Sequence, residues 1–391
     1  MLSLTCKYCI LLTFLCSVFC QELKGQTTFN ANGSDYTAIP IAVPFLTISP
    51  DARSGAMGDA GVAISADANS TYWNAAKLPF LQDNSSVSLS YSPWLRRLVS
   101  DINLAYLSYA QKLDARNSLG FSFRYFNLGK VDLYDNNIVS LGTYNPNEFS
   151  IDGSYARKFG DGLSLGLTVR YIHSGLYSGV SSGSQQANQI NAIATDFSLF
   201  SNHEIQEFDK DATFSFGANI SNIGTKISYT QSGLQQFLPA NLRVGIANTL
   251  FLDNVNKVTL AFDLNKLLVP TPPVRDSTGS VIRGRDDNRS VVSGIFGSFS
   301  DAPGGFKEEL QEISYSTGVE YWYDNKFALR AGFFYENPHK GNRSYATVGI
   351  GMVAKNINID FSYLAASQDK SPLANTLRFS LAYNFGSGDG P

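Results

Sequence analysis

Apolar and polar residues alternate along most of the chain beyond residue 86. In the stretch LSLGLTVRY, apolar side chains occupy every second position from Leu163 to Tyr171, and small or polar side chains occupy the positions between them. Successive side chains of a β-strand point to opposite faces, so this period predicts strands with one apolar and one polar face. The same pattern returns in KFALRAGFFYE and in the last segment, TLRFSLAYNF.

The alternation predicts about 14 strands, and an even number of such strands is typical of transmembrane β-barrels. Their approximate bounds are 86–91, 102–112, 118–126, 149–159, 163–174, 191–200, 213–222, 241–252, 256–264, 313–323, 327–335, 345–354, 357–363 and 376–385. Short links alternate with long ones, as the periplasmic turns and extracellular loops of outer-membrane barrels do. The link 201–212 is the exception, because its predicted length lies between the two kinds.

A soluble β-sandwich is the alternative, since its strands also alternate. Two features favour the barrel: the sorted links, and a polar face made of small residues with isolated charges, which suits a lumen. These inward charges are predicted to be Arg124, Asp152, Arg170, Glu320, Arg330, Asp360 and Arg378. We therefore expect an all-β protein, a transmembrane antiparallel β-barrel over residues 86–391.

The beginning of the chain predicts export. Residues 1–20, MLSLTCKYCILLTFLCSVFC, combine Lys7 with a short apolar core, as a secretory signal peptide does. A lipoprotein anchor on Cys20 is disfavoured by the bulky Phe19. All four cysteines lie in this segment, so the mature chain is expected to have neither disulfides nor thiolate chemistry. Residues 21–85 then form an N-terminal segment that precedes the barrel.

Charge and histidine content limit the possible functions. The formal net charge is −3 and charged residues make up 16% of the chain, so no basic face for nucleic acid is predicted. His173, His203 and His339 are isolated, which argues against a metal site. His173 and Ser174 are adjacent in a strand and point to opposite faces, so they form no catalytic dyad. We predict no enzyme activity, no catalytic residue and no cofactor.

A stretch rich in small residues, GAMGDAGVAISADANSTYWNAAKLPF, runs from Gly55 to Phe80. Its first seven residues have glycines at every third position, which matches neither a dinucleotide fingerprint nor a Walker A loop. A compact segment that packs closely through small side chains is the better interpretation. The long links 127–148, 175–190 and 265–312 are either solvated loops or arms that bind a partner.

Two parts of this region resemble the FadL family of outer-membrane fatty-acid transporters. They are ARSGAMGDA at Ala52–Ala60 and YWNAAKL at Tyr72–Leu78, where Ala75 replaces a proline common in the family. The resemblance implies a hatch, a segment before the first strand that folds into the lumen. The hatch candidates are Arg53, Gly55, Met57, Gly58, Asp59, Asp67, Asn69, Trp73 and Asn74. We expect Arg53, Asp59, Asp67 and Asn74 to hydrogen-bond to Arg124, Arg170 and Arg330.

Within that family, residues 39–55 (IPIAVPFLTISPDARSG) are similar to the PorV-like, or LptO-like, proteins of the type IX secretion system of Bacteroidota. The resemblance implies an outer-membrane shuttle that binds the C-terminal signal domain of secreted cargo at the Sov/SprA translocon. It also implies delivery to an attachment complex that contains the PorU-type sortase, where cargo is joined to lipopolysaccharide. The alternatives are a FadL-like transporter of long-chain fatty acids or other hydrophobic molecules, and a factor in lipid A O-deacylation.

Overall fold

A sheet of fourteen antiparallel strands that closes on itself dominates the molecule. The computed structural model describes residues 38–94, 101–134, 137, 139–176, 189–229, 235–366 and 375–387. The predicted signal peptide and most of the loop 175–190 lie outside these ranges. The first strand, β1 (Asp83–Pro93), pairs with β2 (Asn103–Lys112) on one side and with the last strand, β18 (Thr376–Ser387), on the other, which closes the barrel. The predicted fold class and strand number are confirmed.

The barrel strands follow one another in chain order around the sheet, so each pairs with its sequence neighbours. They are β1 (Asp83–Pro93), β2 (Asn103–Lys112), β3 (Asn117–Asn127), β6 (Asn147–Lys158), β7 (Leu163–Gly175), β8 (Ile190–Glu207), β9 (Lys210–Gly224), β10 (Asn241–Phe251), β11 (Asn256–Leu267), β14 (Ile313–Tyr323), β15 (Phe327–Tyr335), β16 (Ser344–Ala354), β17 (Ile357–Ala366) and β18 (Thr376–Ser387). Two hairpins in the long links pair β4 (Val131–Tyr134) with β5 (Ser140–Tyr144), and β12 (Val274–Arg275) with β13 (Val281–Arg283).

The two faces of the barrel wall differ in chemistry, as the alternation predicts. Along β7, Leu165 and Val169 lie on the outer face and are 44% and 50% exposed, while Ser164 and Thr168 on the inner face are buried. The outer face of the other strands carries the same kind of side chain, including Leu89, Leu107, Phe121, Ile151, Ile193, Leu260, Leu329, Ile350 and Leu381. This belt gives the barrel wall an apolar surface suited to lipid.

Short and long connections lie at opposite ends of the barrel. The turns 113–116, 159–162, 252–255, 324–326 and 355–356 lie at the end where β1 begins and β18 finishes. We call this the short-turn end and the other the long-loop end. The prediction of a middling link over 201–212 is wrong: β8 and β9 extend to a two-residue turn at Phe208 and Asp209, both with positive φ. Polar residues replace the apolar alternation there, so the sequence pattern stops before the strands do.

Six short helices complete the described structure. Short α-helices are α1 (Ala52–Ala56), α2 (Ser70–Trp73), α3 (Val291–Gly297) and α4 (Phe306–Gln311). Two 3-10 helices cover Pro44–Thr47 and Ala75–Phe80. Among the described residues, no helix has the length and hydropathy needed to cross a membrane.

The outer face generates the first prediction, Val169→Arg. Val169 lies near the middle of β7 on the apolar surface, where an arginine should cost about 2–4 kcal/mol of folding free energy in a bilayer. Unfolding in phospholipid vesicles, followed by the heat-dependent shift in gel mobility, measures this loss. The control is Phe208→Arg in the exposed turn, which should have little effect. Equal stability of the two variants would contradict a lipid-facing β7.

Candidate functional site

Residues 44–81, here called the lumen segment, contact the inner faces of strands on several sides of the barrel. Helix α1 contacts β15, β16, β17 and β18, and the 3-10 helix Ala75–Phe80 contacts β2, β3, β6, β7 and β8. Most of its side chains are buried, including Met57, Trp73 and Asn74. The hatch candidates are therefore brought together within one buried segment.

A chain of alternating charges joins the lumen segment to the barrel wall. Arg53 donates from Nη2 to Glu320 Oε1 at 2.8 Å and from Nη1 to Asp67 Oδ2 at 3.1 Å. On the other side of Glu320, Arg330 donates from Nε at 2.6 Å and also reaches Asp360 at 2.6 Å. Each guanidinium thus lies between two carboxylates. Glu320 is the shared centre, and its side chain is only 2% exposed.

Asp59 makes the second ionic contact with the wall. Its Oδ1 accepts from Arg378 Nη1 at 3.0 Å, and its Oδ2 accepts from the Tyr345 hydroxyl at 2.5 Å. Next to it, Gly58 N donates to Thr347 Oγ1 at 2.9 Å. This corner of the lumen segment is therefore held by β16 and β18.

Polar side chains also organise the segment internally. The Asp51 carboxylate caps α1 by accepting from Ser54 N at 2.8 Å, and accepts from Trp73 Nε1 at 2.6 Å. Asn74 donates to Val62 O at 3.0 Å and to Leu199 O, on β8, at 2.9 Å. Since N-cap bonds stabilise a helix by about 1 kcal/mol, Asp51 both begins α1 and ties it to α2.

Glycine allows the segment to approach the wall closely. Gly58 has φ +67°, and a Cβ there would lie 2.6 Å from Phe333 O. On the wall, a Cβ at Gly318 would lie 2.6 Å from Met57 O. Neither position has space for a side chain, and the positive φ at Gly58 strains other residues. The small residues of this stretch therefore serve packing.

The specific partners expected for the hatch candidates differ from those in the structure. Arg170, on β7, pairs with Asp152 and Asp196 on the neighbouring strands β6 and β8, at 2.7 and 3.0 Å. Arg124 donates to the carbonyl oxygens of Phe45 and Leu46 and stacks on the ring of Tyr72. These cations therefore find nearer acceptors than the predicted side chains.

The remaining hatch candidates and Asp263, which was not predicted, also connect the lumen segment to the barrel wall. Asn69 Oδ1 accepts from the Ser108 hydroxyl at 3.1 Å, and Gly55 packs against the Arg378 side chain. Asp263 accepts from the backbone N–H groups of Gly61 and Val62 at 2.8 and 3.0 Å. Asp263 was missed, although its place between Phe262 and Leu264 on an alternating strand puts it on the polar face.

His173 and Ser174 point to opposite faces of β7 and contact different partners. His173 Nδ1 contacts Asn191 Oδ1 at 2.9 Å, and its ring stacks on Phe149. Ser174, on the other face, donates to Glu148 at 2.7 Å. Within the described part of the chain, no group of three or more His, Cys, Asp or Glu residues is placed to hold a metal ion.

At the long-loop end, buried ion pairs fix the loop 268–312 against the barrel. Lys266 Nζ contacts Glu312 at 2.6 Å and Glu309 at 3.1 Å, and Lys340 Nζ contacts Glu308 at 2.6 Å and Glu312 at 3.0 Å. Helix α4 is thereby tied to both β11 and the link 336–343. We call these five residues the loop clamp.

Asp301 adds a further anchor within the same loop. Its burial raises the pKa of the carboxyl above the usual value, while Thr271 N–H and Arg289 oppose this by favouring the charged form. Arg289 Nη2 lies 3.1 Å from Asp301 Oδ2.

Five large apolar side chains of this loop are exposed. Phe296 and Phe306 are 75% and 76% exposed. The apolar loop surface comprises these two residues with Val292, Phe299 and Leu310. Composition indicated a polar loop, because these residues are spread among glycine and serine. Only the structure shows that α3 and α4 leave them exposed to solvent.

Among the described residues, one cavity adjoins the lumen segment towards the short-turn end and another towards the long-loop end. The short-turn cavity, of about 570 Å³, is lined by polar residues that include Arg53, Asp67, Lys257 and Asp360. The long-loop cavity, of about 230 Å³, lies between the lumen segment, β10, β11 and the link 336–343. The short-turn cavity therefore offers charged and polar groups to an occupant, whereas apolar side chains such as Trp73 and Phe334 also line the long-loop cavity.

These features define the class of protein: an outer-membrane-type β-barrel with a FadL-like fold. The structure resembles the CymD monoaromatic hydrocarbon channel with a TM-score of 0.50 at 15% identity, covering 86% of this chain and 98% of that one. It resembles a deltaS2S3 mutant of the TodX monoaromatic hydrocarbon channel with a TM-score of 0.50 at 13% identity, covering 86% and 99%. At such identities the likeness concerns the fold alone. No curated protein is significantly similar in sequence.

The particular family follows from the sequence. Residues 31–274, more than half of the chain, match the family described as PorV, a type IX secretion system protein. The chain belongs to the PorV family, and the family predicted from residues 39–55 is confirmed.

The charge chain generates the second prediction, Glu320→Gln. The amide keeps the shape but leaves Arg53 and Arg330 without their shared carboxylate. Removing one member of a buried ion pair costs about 3–5 kcal/mol. Denaturant unfolding in vesicles, followed by tryptophan fluorescence, should show this loss.

The matched control is Asp324→Asn, which breaks the exposed ion pair with Lys326 in a short turn. Exposed pairs contribute about 1 kcal/mol or less. If the two variants unfolded at the same denaturant concentration, the charge chain would not be what holds the lumen segment.

Proposed function

We propose that the chain is a non-enzymatic carrier of the type IX secretion system in the outer membrane. Its barrel anchors it in the lipid, and its long-loop end binds the C-terminal signal domain of cargo proteins between the translocon and the attachment complex. Membership of the PorV family supports the secretion role. The apolar loop surface is the observation that carries the binding role.

A protein partner suits the apolar loop surface for two reasons. Exposed aromatic side chains on a loop outside the membrane are typical of protein interaction sites, because burying them provides much of the binding energy. The loop clamp holds the same surface in one conformation, since the charged groups that fix it are buried. A preordered surface loses less conformational entropy on binding.

The third prediction tests this surface with Phe296→Ser and Phe306→Ser combined. Purified protein in detergent should bind an isolated cargo signal domain, and the double variant should lose about 2 kcal/mol or more, about thirtyfold in Kd. Isothermal titration calorimetry measures the Kd of the unmodified protein and that of the double variant. Phe208→Ser is the control, because Phe208 is 86% exposed in a turn at the opposite end. Unchanged affinity in the double variant would contradict the proposal.

The lumen segment has a separate proposed role, which is to close the barrel to small solutes. Its contacts with both sides of the wall and its ionic anchors support this role. A carrier that stays in the outer membrane benefits from a closed lumen, because a barrel of this size with a polar interior otherwise admits water.

The fourth prediction is that deleting residues 50–80 increases uptake of small hydrophilic antibiotics by cells. Removing the segment leaves a polar lumen that water can fill. Uptake is expressed per folded barrel, measured by heat-dependent gel mobility, so that misfolding is separated from opening. The Phe296→Ser/Phe306→Ser variant keeps the segment and should leave uptake unchanged. An unaltered uptake per folded barrel in the deletion would exclude a closing role.

A transporter of fatty acids or other hydrophobic molecules is the second candidate function. The FadL-like fold favours it, since both similar channels are described as conducting hydrocarbons. The charged lining of the short-turn cavity favours the carrier instead. Stoichiometric copurification of a lipid would support the transporter.

A further inference from the structure

The hairpin of β8 and β9 at the short-turn end has an open edge. Pairing of β8 with β7 ends at Ser201 and Leu163. Pairing of β8 with β9 continues beyond that point, to Glu207 and Lys210. Among the described residues, the last part of β8 therefore has a neighbouring strand on one side only.

The backbone N–H groups of Glu204 and Gln206 point to this open side. Asn202 N donates in the same direction, to Gly162 O in the adjacent turn, at 2.7 Å. The bonding direction alternates along an antiparallel strand, so positions 204 and 206 face the same way as 202. Both residues are exposed. Exposed backbone groups along a strand edge are a template on which a further strand can form.

Phe208, at the tip of the hairpin, is unfavourable for the isolated protein in two ways. Its φ of 54° lies in the left-handed region, which glycine and asparagine adopt more easily than an aromatic residue does. Its side chain is 86% exposed, so a large apolar ring lies in water. Backbone strain concentrates at functional sites and aromatic side chains anchor interfaces, so contact with a partner accounts for both features.

The hairpin is acidic on the face that Glu204 and Gln206 share. The register places Asp211 opposite Gln206 and Thr213 opposite Glu204, so the two carboxylates are diagonal neighbours on this face. In the described part of the chain, neither carboxylate belongs to an ion pair. The nearby cation of Lys210 donates to Leu252 O instead. A strand with lysine or arginine opposite Glu204 complements this face.

We propose that this edge binds an extended, basic segment of a periplasmic protein, which adds to β8 as a further strand. The short turns of outer-membrane barrels face the periplasm. Backbone groups of Glu204 and Gln206 bond to the added strand, its cations meet Glu204 and Asp211, and an apolar pocket of the partner receives the Phe208 ring. The hairpin lies at the end opposite the apolar loop surface, so this inference does not depend on the proposed binding of cargo.

A second copy of this chain fits the same edge poorly. Copies inserted in one membrane have the same orientation, so β8 runs towards the periplasm in each of them and two such edges would pair in parallel. Two-fold symmetry would then place Glu204 beside Glu204 of the other copy. Like charges on directly neighbouring strand positions are destabilising. A basic segment avoids this repulsion.

The experiment places the photoreactive residue p-benzoylphenylalanine at Ile205, beside the open edge, and irradiates cells that produce the full chain. The expected product is an adduct whose cross-linked peptide, identified by mass spectrometry, is a periplasmic segment with lysine or arginine at alternate positions. Gln206→Pro removes one edge N–H and keeps the charge, and proline is tolerated on the free side of an edge strand. It should lower the yield of adduct per folded barrel, counted by heat-dependent gel mobility, about tenfold or more.

Two further variants test the side chains. Glu204→Lys should lower the yield to a similar extent, and changing the basic residues of the cross-linked segment to glutamate should restore it. Phe208→Asn should also lower the yield about tenfold or more while the barrel folds normally, because asparagine suits this turn. The control is Asp324→Lys, which reverses a charge in another short turn and should leave the yield unchanged.

Four results would overturn the proposal. They are the absence of a protein adduct, adducts with lipid or a second copy of this chain alone, a cross-linked segment without basic residues, and a yield that Gln206→Pro leaves unchanged or that Asp324→Lys lowers equally.

Discussion

A barrel of fourteen strands encloses more space than its own inward side chains fill, and the rest of the structure depends on this constraint. Eight strands leave an interior just wide enough for side chains, and the diameter grows with strand number. Here the lumen segment occupies the added space. The wall accommodates it with glycines such as Gly318 and Gly332, which contact Met57 and Gly58. Glycine weakens a strand, so its presence at these positions indicates that close packing against the lumen segment requires it.

The contents of the lumen are charged, because the wall must be polar inside if it is apolar outside. Buried charges are costly unless they are paired with good geometry. Arg53 and Arg330 share Glu320, and Asp59 meets Arg378, so cations and anions alternate through the interior. The interaction energy of a hydrogen-bonded ion pair depends more strongly on distance and direction than that of an apolar contact does. Pairing therefore favours one position of the segment over neighbouring ones.

The sequence predicted the fold well and the contacts poorly, for one physical reason. Strand alternation is local, so all fourteen strands followed from it, and so did the sorting of the links apart from 201–212. The contact between Asp59 and Arg378 joins residues 319 positions apart and depends on how the barrel closes around the segment. Arg170 faces inward as predicted, but cross-strand carboxylates lie nearer to it than the segment does. The exposure of Phe296 likewise depends on how the long loop folds, which no local pattern gives.

The distribution of polarity bears on which function the fold serves. A channel for hydrocarbons needs an apolar path through the wall or the lumen, and similar folds are described as such channels. In this chain ion pairs cross the interior, and the long loop 268–312 exposes large apolar side chains such as Phe296 and Phe306. Apolar area contributes to binding where it can be removed from water, which here is at the long-loop end. This distribution supports the proposed binding of a partner at the long-loop end over transport of hydrocarbons through the lumen.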